Sequence, residues 1–87
     1  MSDWLVYILE CGDGTLYTGV TVDLRRRLAA HQCGTASRYT RARLPVRVIY
    51  QETLHTRSSA LRREASIKTL TRREKLCLIS TPPAELE

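Results

Sequence analysis

Residues 4–21, WLVYILECGDGTLYTGVT, hold two strand-like runs, Trp4 to Leu9 and Leu16 to Val20, joined by a glycine-flanked aspartate. Each run carries one tyrosine, Tyr7 and Tyr17. Tyrosine is common in strands, so the pair becomes informative only through its geometry. A two-residue Asp13-Gly14 turn sets Tyr7 opposite Val20 and Tyr17 opposite Glu10, with the phenols on different faces of the sheet. A three-residue Gly12-Asp13-Gly14 loop, with Gly14 in the left-handed position of a bulge, pairs Tyr7 with Gly19 and Leu9 with Tyr17. Both phenols then share one face, and joint chemistry for them requires this second register. Gly19, a glycine inside a strand pattern, marks a place where another group approaches the backbone, or a simple bulge. Trp4 to Leu9 is apolar at both alternating sets of positions, which predicts a strand covered on both sides.

Outward from the hairpin, Val22 to Cys33 reads as a helix. Asp23 or Thr21 caps its start, Leu24 and Leu28 lie on one side, and Gly34 closes it. At about 100° per residue, Arg26 points away from the leucines, while Arg25 and Arg27 flank the apolar stripe. Arg27 shares its flank with His31, one turn later. Thr35 to Pro45 has no clear period and carries Arg38, Arg41 and Arg43 around Tyr39. Such a basic, aromatic-bearing loop suits a phosphate backbone and a stackable base, and equally an exposed connection. Val46 to Glu52 alternates as a third strand, with Tyr50 assigned to the core. Thr56 to Leu70 reads as a helix with an apolar arc of Ala60, Leu61, Ala65 and Ile67. Glu64 falls near the middle of that arc, where a carboxylate is costly without a cation or donors, and Lys68 at i+4 offers a structural partner. A last helix begins at Thr71, where T-R-R-E forms a capping box with Glu74, and ends before Pro82 and Pro83.

With 87 residues the chain supports one modest core. We therefore expect one domain over residues 1–80 and a short acidic tail over 81–87. The N-terminus shows no charged region followed by an apolar stretch, and no run is long enough to span a bilayer, so a soluble, cytoplasmic protein without a membrane partner is expected. Cys11, Cys33 and Cys77 are an odd, scattered set, expected as reduced thiols and not as a disulfide framework or zinc site. The net charge is +5, and apart from Lys68 and Lys75 its cations are all arginines. Arginine's planar fork suits bidentate phosphate contacts, which points to nucleic acid as partner.

Two tyrosines on adjacent strands, an arginine and a histidine on the next helix, and an inward carboxylate on a later helix resemble the GIY-YIG nuclease superfamily. Leu5-Val6-Tyr7 stands at the first motif and Tyr17-Thr18-Gly19 at the second, keeping both tyrosines and the closing glycine. Arg27 lies ten residues after the second motif tyrosine, where the family has its catalytic arginine, and His31 follows one turn later. The A-L-R-R-E-A-S-I-K stretch places Glu64 at the family's metal-binding glutamate. The likeness covers Trp4 to Leu78 and is closest to the compact, single-domain branch. Many members carry an asparagine after the glutamate, and this sequence contains none.

The resemblance implies an α+β fold, a small three-stranded, mainly antiparallel sheet flanked by helices. It implies metal-assisted hydrolysis of a DNA phosphodiester, with Mg²⁺ or Mn²⁺ held by Glu64 and no small-molecule cofactor. Arg27 would grip a phosphate oxygen, Tyr17 would activate the water, His31 would relay that proton, and Tyr7 would orient water or phosphate. The reverse assignment of the two tyrosines stays open. Gly19, Arg25, Arg38, Tyr39, Arg41 and Arg43 are the expected nucleic-acid contacts, DNA before RNA, with structure- or end-directed action and little sequence specificity. A binding module on the same scaffold without turnover is the alternative. Oligomeric state, pathway and preferred substrate are not legible.

Overall fold

The computed structural model describes residues 3–80, so the expected tail and the stop at Pro82 and Pro83 lie outside the described residues. The chain runs β1 (Trp4–Glu10), β2 (Leu16–Thr21), α1 (Leu24–Gln32), α2 (Arg38–Arg41), β3 (Arg47–Leu54), α3 (Arg57–Lys68) and α4 (Arg72–Ser80). The three strands form one antiparallel sheet in the order β2-β1-β3. This is the α+β architecture the sequence predicts.

Register follows from the turn. Gly14 has φ of 84°, and its N–H donates to the Cys11 carbonyl while Cys11 N–H donates to Thr15 O. Glycine adopts this left-handed conformation without a Cβ penalty. Asp13 Oδ1 accepts from both the backbone and the hydroxyl of Thr15, closing the tip. The resulting pairs are Tyr7 with Gly19 and Leu9 with Tyr17, the register of the three-residue loop.

The central strand is covered on both faces, as its unbroken apolar run predicts: Val6, Tyr7, Ile8 and Leu9 are all buried. Val6 and Ile8 pack with Tyr50, Ala60 and Ile67 beneath α3 and α4. Tyr7, Leu9 and Cys11 pack with Val46, Tyr17, Leu24 and Leu28 beneath α1. An irregularity opposite Ile8 and Leu9 turns Ile49 and Tyr50 toward the same α3 side. The alternation in VRVIYQE gave no sign of that bulge. Tyr50 is buried as expected, but its hydroxyl also donates to Glu52, which Arg63 grips through two nitrogens at 2.7 and 3.3 Å. Burial and the adjacent carboxylate push Tyr50 up to about 12.

α1 starts where expected, with Asp23 accepting from Arg26 N–H and Thr21 Oγ1 accepting from Asp23 N–H. The capping box before α4 is reciprocal: Thr71 N–H donates to Glu74, and Glu74 N–H to the Thr71 hydroxyl. Two expectations change. The stretch after Gly34 is not an irregular loop but holds a one-turn helix capped by Ser37, whose hydroxyl accepts from Thr40 N–H. The buried arc of α3 is also narrower, because Ala60 and Ile67 are buried while Leu61 and Ala65 are exposed. Arg63 and Glu64 therefore flank a thin stripe on opposite sides.

Candidate active site

The three-residue turn places Tyr7 and Tyr17 on the α1 face. Tyr7 lies across the backbone of β2 at Gly19, where an added Cβ would meet the Tyr7 hydroxyl at 2.6 Å and its ring at 2.7 Å. Only a residue without a side chain leaves that path open. From α1, His31 inserts its ring edge-on against both tyrosines, with centroids 5.9 Å from Tyr7 and 5.2 Å from Tyr17.

His31 is 0% exposed. Its Nε2 is 2.9 Å from the Tyr7 hydroxyl and its Nδ1 is 2.8 Å from Thr40 Oγ1. Burial, and then the Arg27 charge, hold its pKa below the ordinary value, so the ring is neutral. Burial raises the Tyr7 phenol, and Tyr17 and Glu64 add to that, while the Arg27 guanidinium opposes it. Arg27 is thus close enough to act on both members of the pair. Its Nε is buried and makes no hydrogen bond within the protein. A donor left free in this way can serve an anion that arrives from outside.

Glu64 is half-buried, and its Oε2 is 3.1 Å from Lys68 Nζ, the i+4 pair expected from the sequence. Its negative charge is the smallest of the influences that raise the Tyr7 phenol. The described residues contain no group of three or more His, Cys, Asp or Glu placed to hold a metal. A single hard carboxylate oxygen fits Mg²⁺, which keeps several waters and takes its other ligands from substrate phosphate.

The remaining candidates divide. Arg25, Arg38 and Arg41 are exposed and free to meet a polyanion. Arg43 is engaged: its Nε is 3.1 Å from Asp13, its guanidinium lies 3.9 Å over the Tyr39 ring, and it donates to the Tyr39 carbonyl. Tyr39 in turn stacks on Tyr17 at 6.0 Å and 27°. Arg43, Tyr39 and Tyr17 thus form a layered wall beside His31. Thr40, buried at 0% exposure, is the site residue that sequence reasoning missed. A signal existed in Ser37, a good N-cap three residues before it.

The profile of the family described as GIY-YIG catalytic domain matches residues 3–76. The chain belongs to the GIY-YIG family. That makes it a member of a nuclease family. A UPF0213 protein of Streptococcus agalactiae is 51% identical over 85% of this chain and 84% of its own length. One from Staphylococcus saprophyticus is 46% identical over 92% and 98%. The GIY-YIG fold is shared with the solution NMR structure of UPF0213 protein BH0048 from Bacillus halodurans, at 42% identity and a TM-score of 0.58, over 92% of this chain and 84% of that one. A second NMR structure, of protein EF2693 from E. faecalis, has 37% identity and a TM-score of 0.63 over 100% and 91%.

Proposed function

We propose that the chain is a divalent-metal-dependent endonuclease that hydrolyses phosphodiester bonds in DNA, acting on structure or ends with little sequence specificity. The observation that carries this reading is the convergence of Tyr7, Tyr17, His31 and Arg27 on one face, with Tyr7 bonded to a neutral histidine. A phenol raised by burial is a poor base alone. Next to an imidazole acceptor it passes its own proton on while taking one from water.

The bond from His31 favours Tyr7 over Tyr17 as the phenol in this role. Tyr7 is buried in the free protein, so substrate must bring the water to its hydroxyl; the Tyr7 proton then moves to Nε2, a water proton moves to the Tyr7 oxygen, and the hydroxide attacks phosphorus as the leaving oxygen departs. Arg27, with its free Nε, stabilises charge on a non-bridging oxygen. Tyr17 forms the other wall of the cleft. Glu64 would hold a divalent metal, Mg²⁺ or Mn²⁺, whose chemistry there would be neutralisation of negative charge at the phosphate. To take it, Glu64 must loosen its contact with Lys68. The exposed Arg25, Arg38 and Arg41 would track the backbone, contacts that carry no base information. Free thiols at exposed Cys33 and Cys77 support work in the reducing cytoplasm.

The second reading is a binding module without turnover, favoured by the Lys68 contact on the one candidate metal ligand and by the absent asparagine. A metal titration of cleavage on single-stranded, duplex and branched DNA decides. Metal-dependent cutting that is lost in Glu64→Ala, Arg27→Ala, Tyr7→Phe and Tyr17→Phe supports the endonuclease. Equal cutting by all four variants ends that reading. Salt-sensitive binding without any cutting by wild type establishes the binding module instead.

A further inference from the structure

We infer that Thr40 is a positioning residue: with the Nε2 lone pair taken by the Tyr7 hydroxyl, the Thr40 hydroxyl, 2.8 Å from His31 Nδ1, accepts the Nδ1 proton and holds the imidazole in the Nδ1–H tautomer. The direction of the chain of bonds follows from satisfying buried protons. Tyr7 is 1% exposed, and among the described residues His31 Nε2 is the one acceptor within reach of its hydroxyl, since the Arg27 guanidinium beside it can only donate. If Nε2 carried the proton, the Tyr7 O–H would have no acceptor, a costly arrangement in a closed interior. Nε2 therefore accepts, Nδ1 donates to Thr40 Oγ1, and the Thr40 proton is left for the Ser37 carbonyl, 3.4 Å away. Arg27, the cation beside Tyr7, acts on the phenol oxygen and not on its proton, which agrees with this polarity.

The one-turn helix α2 is what delivers Thr40. Ser37 caps it through Thr40 N–H, and Arg41 N–H returns to the Ser37 carbonyl, so the Ser37-Thr40 turn is held from both ends. Arg38 and Arg41 point to solvent on the same turn, while Thr40 faces inward at 0% exposure. The basic segment thus has two sides, one for a polyanion and one that orders the histidine. A free imidazole has no such constraint, and His55, which is exposed, supplies an internal reference.

The inference rests on the proposed nuclease reading only for its activity arm. The test is ¹⁵N-histidine NMR of the full chain at a pH where both rings are neutral, with cleavage measured on the same samples. Wild-type His31 is expected as Nδ1–H. Thr40→Val, which keeps the shape and removes the hydroxyl, leaves the Nδ1 proton without an acceptor and is expected to reduce the Nδ1–H population of His31 and to lower cleavage by about tenfold or more. Thr40→Ser is expected to restore the tautomer and most of the activity. A wild-type His31 protonated at Nε2 overturns the inference whether or not any variant folds. So does Thr40→Val that keeps Nδ1–H, or Thr40→Ser that folds without restoring it. If wild type does not cut, the nuclease reading fails while the tautomer still decides the role of Thr40.

Discussion

Two glycines of the opening hairpin answer different demands, and their alanine variants should separate them. At Gly14 an added methyl meets nothing within 4 Å, but φ of 84° strains any L side chain. Gly14→Ala is expected to cost about 1–2 kcal/mol in urea unfolding and to leave cleavage nearly unchanged. At Gly19 the backbone is ordinary, but the methyl collides with the Tyr7 phenol. Gly19→Ala is expected to cost about 1–3 kcal/mol and to depress cleavage strongly by displacing that phenol. Cleavage that falls equally in both variants would break the link between Gly19 and Tyr7. His31 gives a second prediction at this scale. Its folded pKa is depressed, so its contribution to stability is full above the unfolded value of about 6.5 and is lost as pH falls through the folded value. Between those limits wild type should lose up to about 1.4 kcal/mol per pH unit more than His31→Gln, measured by urea unfolding from neutral pH downward. Parallel slopes would mean that the buried ring is not neutral.

The helix α3 puts two neighbouring charges to opposite uses. Arg63 on one flank grips Glu52 beside Tyr50, and Glu64 on the other meets Lys68. Arg63→Ala leaves a half-buried carboxylate without its cation and is expected to cost about 1–2 kcal/mol in chemical denaturation without changing cleavage. Glu64→Ala removes an i,i+4 pair worth only about 0.3–0.5 kcal/mol, so its loss should show in metal-dependent cleavage and hardly in stability. The two stripes were not equally legible. On α1, Leu24 and Leu28 mark one side, and the flanking position of Arg27 and His31 follows from the angle alone. On α3 the apolar residues suggest a wide arc, and the exposed Leu61 and Ala65 show that composition overstated it. Small and apolar residues on a short helix do not say how much of the face its neighbours will cover.

At the scale of the molecule, the net charge of +5 predicts salt-dependent association with nucleic acid. Among the arginines of the basic segment, Arg38 and Arg41 are free, so substituting either with Ala should weaken DNA binding for all sequences and reduce the salt slope by about one. Arg43→Ala should act differently. It releases Tyr39 from its stack and Asp13 from its ion pair, so cleavage should suffer more than the salt slope. A binding titration at several salt concentrations, set beside cleavage rates, distinguishes the two kinds of arginine. Identical behaviour of all three would mean that the layered wall does not persist when DNA binds.

By itself the sequence determined the strand covered on both faces, the cap of α1, the capping box of α4 and the narrow choice of hairpin register. These are written in local period, turn chemistry and capping residues, and each depends on neighbours a few positions away. Folding then selected the register with Gly14 at positive φ, which puts both phenols on one face. Tertiary structure alone decided that His31 bonds Tyr7 and Thr40, separated from it by 24 and 9 residues, and that Arg43 is spent on Tyr39 and Asp13. Thr40 carries no hydrophobic or charge signal. Its role arises because a buried imidazole needs a partner for each ring nitrogen, and only the packed chain shows which groups are within reach.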